Sequence, residues 1–150
     1  MMNTKKVMAK GNIESNYAKM PMELFDYVQL ELISHTDLAV YMKLYDLVNV
    51  EQGYAFPTIP QLMVYTRIGS KSTIHRSLRK LVEVNLIEKR KTRWGNNVYY
   101  VYKPLSKADL YKLYPDKFEQ FKVFENKQMK IAKYDIDRFQ QHLQNKEEIV

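Results

Sequence analysis

Residues 58–103 read TIPQLMVYTRIGSKSTIHRSLRKLVEVNLIEKRKTRWGNNVYYVYK, and this stretch decides the fold. It begins with a capping-box pattern, in which Thr58 can cap a helix and Gln61 stands three residues later. Pro60 falls in the first turn of that helix, where its missing N–H costs little. The pattern therefore predicts a short helix that ends at about Thr66.

A tight turn and a second, amphipathic helix follow. Gly69 is expected to make the turn, and Ser70 can cap a helix that runs from Lys71 to about Val84. Asn85, which tolerates the left-handed conformation, is expected to end this helix. The apolar residues at helical spacing predict its buried face, which consists of Ile74, Leu78, Leu81 and Val82.

Two β-rich segments complete the stretch. Leu86 to Lys91 has the composition of a strand, Trp94 to Asn97 is a turn cluster, and Val98 to Lys103 alternates as a returning strand. The order of short helix, turn, amphipathic helix and hairpin predicts a helix-turn-helix unit with a wing. In such a unit the second helix is the recognition helix, whose N-terminal residues reach base edges in the major groove of DNA.

The positive charge of the chain is concentrated in the same stretch. The 150 residues have a net charge of +7, and residues 67–103 carry ten basic and two acidic residues, a net of +8. Residues 1–66 have a net charge of −2, and residues 104–150 have a net charge of +1. A basic region confined to one segment favours a binding face for a polyanion such as double-stranded DNA.

The geometry of the second helix selects candidate DNA contacts. With its apolar face inward, Arg76 and Arg79 point outward, and arginine can hold guanine through two hydrogen bonds. The alternative is that each arginine belongs to a solvated helix face. The helix N-terminus suits a phosphate, and a basic wing suits the phosphate backbone or the minor groove. The predicted DNA-contacting residues are Ser70, Lys71, Ser72, Thr73, His75, Arg76, Arg79, Lys80, Lys89, Arg90, Lys91, Arg93, Trp94 and Asn96. For Trp94 the favoured alternative is that it closes a small apolar patch under the hairpin.

Several short motifs carry a resemblance to a known family. They are Tyr54–Thr58, Ile74–Leu78, Leu81–Ile87, and the pattern Asn97-x-Tyr99 before Pro104. On these motifs the chain resembles the winged helix-turn-helix domains of phage, plasmid and bacterial DNA-binding proteins. Tyr17–Phe25 is similar to the opening of plasmid replication-initiator amino-terminal domains. The resemblance covers roughly residues 17–104 and implies a winged fold that binds DNA.

The segments before and after this domain differ in their expected secondary structure. Residues 1–16 are polar and aperiodic, which predicts a flexible tail. Residues 17–32 are expected to form a short strand or turn before a largely buried helix, for which residues 34–37 supply N-cap candidates. Residues 105–150 predict a helical extension, formed either by one long helix or by two that break near Tyr134-Asp135. The expected fold class is mostly α with a small β-hairpin (α+β), in which a winged helix-turn-helix at residues 17–104 precedes this extension.

The extension is the candidate dimerisation element. Its apolar surface is larger than a short appendage usually buries alone, and it is formed by Phe118, Phe121, Phe124, Ile136, Phe139 and Leu143. A homodimer would place two recognition helices about 34 Å apart, one turn of DNA, and would imply an inverted-repeat site. The alternative is that the extension folds back on the first helix of its own chain.

The sequence argues against an enzyme, a metal site, a cofactor site or a small-molecule ligand. Cysteine is absent, which excludes thiol nucleophiles and cysteine-ligated zinc. Gly69–Thr73 lacks the spacing of a phosphate-binding loop, and His35, His75 and His142 are too far apart for a metal motif. No apolar run has the length of a signal peptide or a membrane span, so we expect a cytoplasmic protein without membrane contact.

The expected function is that of a transcriptional regulator, a dimer that binds double-stranded DNA sequence-specifically at an inverted repeat. Replication initiation or maintenance of a plasmid or phage fits the same chemistry. A winged helix that binds a protein instead of DNA is a third possibility, which the net charge of +8 in residues 67–103 disfavours.

Overall fold

The computed structural model describes residues 5–8, 10–11 and 13–150. The elements in these ranges are α1 (Leu24–Gln29), α2 (His35–Asp46), α3 (Ile59–Thr66), α4 (Lys71–Glu83), β1 (Ile87–Lys91), β2 (Asn97–Val101), α5 (Lys107–Leu113) and α6 (Pro115–Asn145). The chain is mostly helical with one antiparallel hairpin, which confirms the predicted fold class. The predicted flexible tail, residues 1–16, includes residues 1–4, 9 and 12, which lie outside the described residues.

Side-chain caps begin the helices where the sequence predicts them. At α2, Ser34 Oγ accepts a hydrogen bond from the Asp37 backbone N–H at 3.1 Å, and the Asp37 carboxylate accepts one from Ser34 N–H at 2.8 Å. At α3, Thr58 and Gln61 exchange the same pair of hydrogen bonds. Both boxes satisfy N–H groups that the first turn of a helix leaves without partners.

The hydrophobic core lies between α2, α3, α4 and the hairpin. Its largest fully buried side chains include Leu44, Leu62, Ile74, Leu81, Leu86 and Tyr99. Burial of each aliphatic side chain of this size contributes about 1.5–3 kcal/mol relative to exposure. Ala55 pairs with Tyr99 through two backbone hydrogen bonds of 2.8 and 2.9 Å, which attach a third extended segment to β2. The hairpin is therefore fixed directly to the helical core.

Two tyrosine side chains of α1 and α2 form hydrogen bonds with the backbone of the segment that follows β2. The Tyr41 hydroxyl of α2 donates a hydrogen bond to the Tyr102 carbonyl at 2.6 Å. The Tyr27 hydroxyl of α1 accepts one from the Leu105 N–H at 2.9 Å. Burial raises the pKa of Tyr41 from 10.0 to about 12, so this hydroxyl keeps its proton, and can donate this hydrogen bond, well into the alkaline range.

The structure corrects two sequence-based predictions. Residues 24–29 form a helix and not the expected strand or turn, because the spacing of Leu24, Tyr27 and Leu30 buries one face of a single short helix.

The second correction concerns the buried face of α4, in which Val82 is 39% exposed, whereas Ser77 is buried. These two residues flank the apolar stripe at similar angles on opposite sides. The Ser77 side lies inside the domain, and the Val82 side opens on a groove beside β1.

The C-terminal extension consists of the short helix α5 and, from Pro115 onward, one continuous helix, α6. α6 spans 31 residues, or about 46 Å at 1.5 Å per residue, without a break at Tyr134-Asp135. Phe118 and Phe121 pack against the core, and the Phe118 ring stacks on Tyr111 at 4.1 Å between centroids. None of the residues of α6 is buried, so only the beginning of the helix folds back onto the domain.

No helix in the described ranges combines the length and the apolar character that a membrane span requires.

Candidate nucleic-acid interface

The turn between α3 and α4 depends on Arg67 rather than on Gly69. Arg67 ends α3 in the left-handed conformation with a φ of 58°, while the φ of Gly69 is not positive. Thr66 Oγ1 donates a hydrogen bond to the Leu62 carbonyl at 2.6 Å and accepts one from the Ile68 N–H at 3.3 Å. Gly69 lies in this turn, as expected, but the left-handed residue of the turn is Arg67, two positions earlier.

The N-terminal turn of α4 exposes polar groups. The Ser70 side chain caps the helix by accepting a hydrogen bond from the Thr73 N–H at 3.3 Å, as the sequence predicts. Its hydroxyl lies 2.8 Å from that of Ser72. Lys71 and Ser72 are exposed and Thr73 is half-buried. The turn thus offers hydroxyls, a cation and the positive end of a helix dipole, which together suit a phosphate.

The outward face of α4 carries two arginines that are available to a ligand. Arg76 and Arg79 are exposed, and neither has an ion-pair partner within the described part of the chain. Lys80 pairs with Glu83 at 3.5 Å on the same helix, where both side chains are largely exposed. Contact of either arginine with a base or phosphate therefore requires no native ion pair to break.

A groove beside α4 contains residues that the sequence analysis did not connect with it. Arg76 and Arg79 line this groove together with Glu31 and His35, which come from the α1–α2 connection and the start of α2. From the sequence, His35 was considered only for a metal motif, which the spacing of the histidines excludes. Its place beside the recognition face depends on the packing of α2 across α4, which no local sequence pattern reveals.

The wing presents its basic residues on two opposite faces. In the antiparallel register Lys89 is paired with Tyr99, Arg90 with Val98, and Lys91 with Asn97. Because side chains alternate along a strand, Lys89 and Lys91 share the face of the buried Tyr99. Lys89 lines a groove with His75 and Arg79 of α4. This face of the wing thus continues the basic surface of α4.

Arg90 lies on the opposite face and is held within the wing. Its Nε donates a hydrogen bond to Glu88 Oε1 at 2.7 Å, and its guanidinium lies 4.9 Å from the centre of the Tyr100 ring. The Tyr102 hydroxyl donates to the other oxygen of Glu88. The hydrogen bonds from Arg90 and then from Tyr102 lower the pKa of Glu88. The Glu88-x-Arg90 spacing, which puts both side chains on one face of a strand, is the sequence signal for this pair.

The tip of the wing is a turn with an exposed ring. Trp94 is 86% exposed, and the Arg93 guanidinium lies 5.9 Å from the centre of its ring. Thr92 N–H donates to the Asn96 carbonyl at 2.8 Å, and Gly95 has the positive φ of 86° that the turn requires. The interpretation that Trp94 closes an apolar patch under the hairpin is wrong, because the turn projects the ring away from the domain.

The predicted DNA-contacting residues form two groups. Residues 70–80 supply the N-terminal turn and outward face of α4, and residues 89–96 supply the wing. Apart from Thr73, every predicted DNA-contacting residue in these two groups is exposed. The groove lined by His75, Arg79 and Lys89 joins the two groups. Arg90 does not line this groove, although Glu88, which binds it, does.

The chain is similar to one family model and to two solved structures. A family model described as a helix-turn-helix domain matches residues 30–87, from the end of α1 to the start of β1. A solved structure named "N-Terminal domain of DNA binding protein" is similar with a TM-score of 0.52 and 16% sequence identity, over 77% of this chain and 96% of that chain. The ST1889 protein from the thermoacidophilic archaeon Sulfolobus tokodaii has 25% identity and a TM-score of 0.42, over 69% of this chain and 96% of that chain. The chain matches no curated protein.

The order of elements explains these likenesses. α3, a four-residue turn and α4 form the helix-turn-helix, and the β1–β2 hairpin follows α4 directly as the wing. The 16% identical structure shows that the fold is shared, and the family match falls on the same elements. The predicted resemblance is thereby confirmed for the fold: residues 30–87 match the helix-turn-helix domain model, and together with the hairpin they form a winged helix-turn-helix.

Proposed function

We propose that this protein binds double-stranded DNA sequence-specifically and performs no chemistry on it. α4 would lie in the major groove with Arg76 and Arg79 on base edges, while Lys89, Lys91 and Arg93 of the wing contact the phosphate backbone. The observation that carries the proposal is the exposed pair of arginines on α4, which lack ion-pair partners in the described ranges. The name of the solved structure with a TM-score of 0.52, which refers to a DNA-binding protein, agrees with it.

We propose further that the protein acts as a homodimer through α6. The helix exposes large apolar side chains along most of its length, among them Phe124, Ile136, Phe139 and Leu143. Beyond Phe121 it extends for 24 residues without a buried side chain, and an isolated helix is marginally stable in water. A second copy of α6 would cover this surface, and the two domains would then bind an inverted repeat.

The biological role that fits best is transcriptional regulation in the cytoplasm by occupation of an operator. Initiation of plasmid or phage replication is the second candidate, and the similarity of Tyr17–Phe25 to replication-initiator domains favours it. In both roles the DNA-contacting chemistry is the same, and the genes beside the bound site would distinguish them.

Selection of bound duplexes from a random pool tests the proposal. We expect an enriched motif made of two inverted half-sites, with centres about 10 base pairs apart or a multiple of this spacing. A single enriched half-site would contradict the dimer. A pool that remains unenriched would contradict sequence-specific binding, and failure to shift any duplex at low salt would favour the protein-binding alternative.

A further inference from the structure

The N-terminal segment is a second basic region. Residues 1–19 contain four lysines and one glutamate, a net charge of +3, whereas residues 20–66 have a net charge of −5. The total of −2 for residues 1–66 conceals this contrast. Every described residue from Lys5 to Lys19 is exposed, and these residues form no helix or strand. We call residues 5–8, 10–11 and 13–16 the N-terminal arm.

The arm joins the domain beside the helix-turn-helix. Asn16, Tyr17 and Ala18 line a groove together with residues of α2 and with Tyr65 and Thr66 at the end of α3. The Lys43 ammonium of α2 lies 5.2 Å from the centre of the Tyr65 ring in the same groove. The arm therefore leaves the domain at the C-terminal end of α3, just before the turn to the recognition helix.

The length of the chain brings the arm within reach of DNA that α4 occupies. Ser70 follows Thr66 by four positions, a span of at most about 14 Å. From Asn16, Lys10 can lie up to about 20 Å away and Lys5 up to about 40 Å away, whereas one turn of DNA rises about 34 Å. The lysines of the arm can therefore reach phosphates beyond the surface that α4 and the wing cover.

We propose that the N-terminal arm is a second DNA-binding element, which runs along the phosphate backbone of the same duplex next to the α3–α4 turn. The inference rests on the proposed DNA binding by α4. Lys5, Lys6 and Lys10 are the contacting residues. The charge of the arm matches the phosphates, and an aperiodic segment with few large apolar residues can order on a charged surface when it binds.

The first test neutralises the three lysines together. The variant Lys5→Gln/Lys6→Gln/Lys10→Gln is compared with the wild-type chain in DNA titrations at salt concentrations from about 0.05 to 0.2 M. Each lost phosphate contact should reduce the slope of log affinity against log salt by about 0.9. The same relation implies that the Kd at about 0.1 M salt rises about eightfold per lost contact. The matched control Lys127→Gln/Lys130→Gln/Lys133→Gln removes the same charge from the far part of α6 and should retain the wild-type slope.

The outcomes separate the arm from the domain. If the arm variant has the slope and affinity of the wild-type chain, the arm proposal is overturned while DNA binding stands. An equal loss in the α6 control would also overturn it, because net charge alone would then explain the effect. If the wild-type chain binds no DNA, the proposed function fails, and the arm proposal fails with it.

A second test maps where the arm lies. Because the chain contains no cysteine, Met8→Cys creates a single attachment point for an iron chelate that cleaves nearby DNA. We expect cuts immediately outside the region that α4 and the wing protect, on one flank of each half-site. The same reagent on Tyr134→Cys in α6 serves as the control and should not produce these cuts. Absence of flanking cuts from position 8 would contradict the proposal.

Discussion

The helices α4 and α6 are both amphipathic, yet α4 packs its apolar face in the core, whereas α6 packs only Phe118 and Phe121, in its first two turns, against the domain. Ile74 and Leu81 of α4 are fully buried, whereas no residue of α6 is buried. The segments also differ in charge, since residues 67–103 carry a net +8 and residues 104–150 a net +1. Similar amphipathic patterns thus have different surroundings: the inner face of α4 packs in the core and leaves its outer face exposed, while most of the apolar surface of α6 remains exposed.

The largest expected effect concerns the stability that each helix contributes. Leu81→Ala removes a fully buried side chain and should lower the free energy of unfolding by about 2–5 kcal/mol. Ile131→Ala in α6 removes a side chain that is 67% exposed and should cost less than about 0.5 kcal/mol. Urea denaturation followed by circular dichroism measures both. Similar losses in the two variants would contradict the contrast between the helices.

The next effect concerns self-association. Phe139→Asp/Leu143→Asp places charges on the apolar surface of α6 and should convert the dimer to a monomer in sedimentation equilibrium. Removal of a central apolar contact from an interface often costs about 2 kcal/mol or more. Lys133→Gln, an exposed change on the same helix, should leave the dimer intact. A double variant that sediments as the wild-type chain does would show that α6 is not the dimer contact.

A smaller effect distinguishes base readout from backbone contact. Arg76→Ala should cost about 1–3 kcal/mol on the preferred site and relax the preference at one base position. Lys91→Ala should weaken binding to all sequences about equally and reduce the salt slope by about 1. Competition titrations with specific and unrelated duplexes measure both. If the two variants lose affinity equally on every sequence, α4 contacts only the backbone.

The last effect is a pH dependence of stability from the contact between α2 and the end of the hairpin. The pKa of Tyr41 rises from its ordinary 10.0 to about 12 on folding, chiefly because of burial. The folded state therefore holds the proton more tightly, and the stability that this group contributes is full below pH 10 and is lost as the pH rises towards 12. Urea midpoints at both ends of this range should fall less for Tyr41→Phe than for the wild-type chain. An identical alkaline loss would contradict the assignment to Tyr41.

The features that sequence predicts well are those set by neighbours along the chain. The caps at Ser34 and Thr58 each depend on two side chains three residues apart, and the Ser70 hydroxyl accepts a hydrogen bond from the backbone N–H three residues later. These caps mark where the three helices begin. The left-handed residue Asn85, with a φ of 61°, is likewise a local effect. Local rules were therefore sufficient to predict the winged order of elements and the outward face of α4.

The features that sequence misses depend on contacts between distant segments. The burial of Ser77 instead of Val82 depends on how α4 tilts against its neighbours, and two equivalent flanks of a helical wheel do not reveal the tilt. The position of His35 beside α4 likewise depends on the packing of α2. The groove at Asn16 and Tyr65, from which the N-terminal arm emerges, joins residues almost fifty positions apart.

The central claim is that the basic surface of α4 and the wing binds DNA through its phosphates. The measurement that tests it most directly is the affinity of the wild-type chain for its selected duplex over a range of salt concentrations. If about six phosphates are neutralised, log affinity should fall against log salt with a slope near −5. A slope near zero would contradict the account, because a surface with this charge cannot bind a polyanion without releasing counterions.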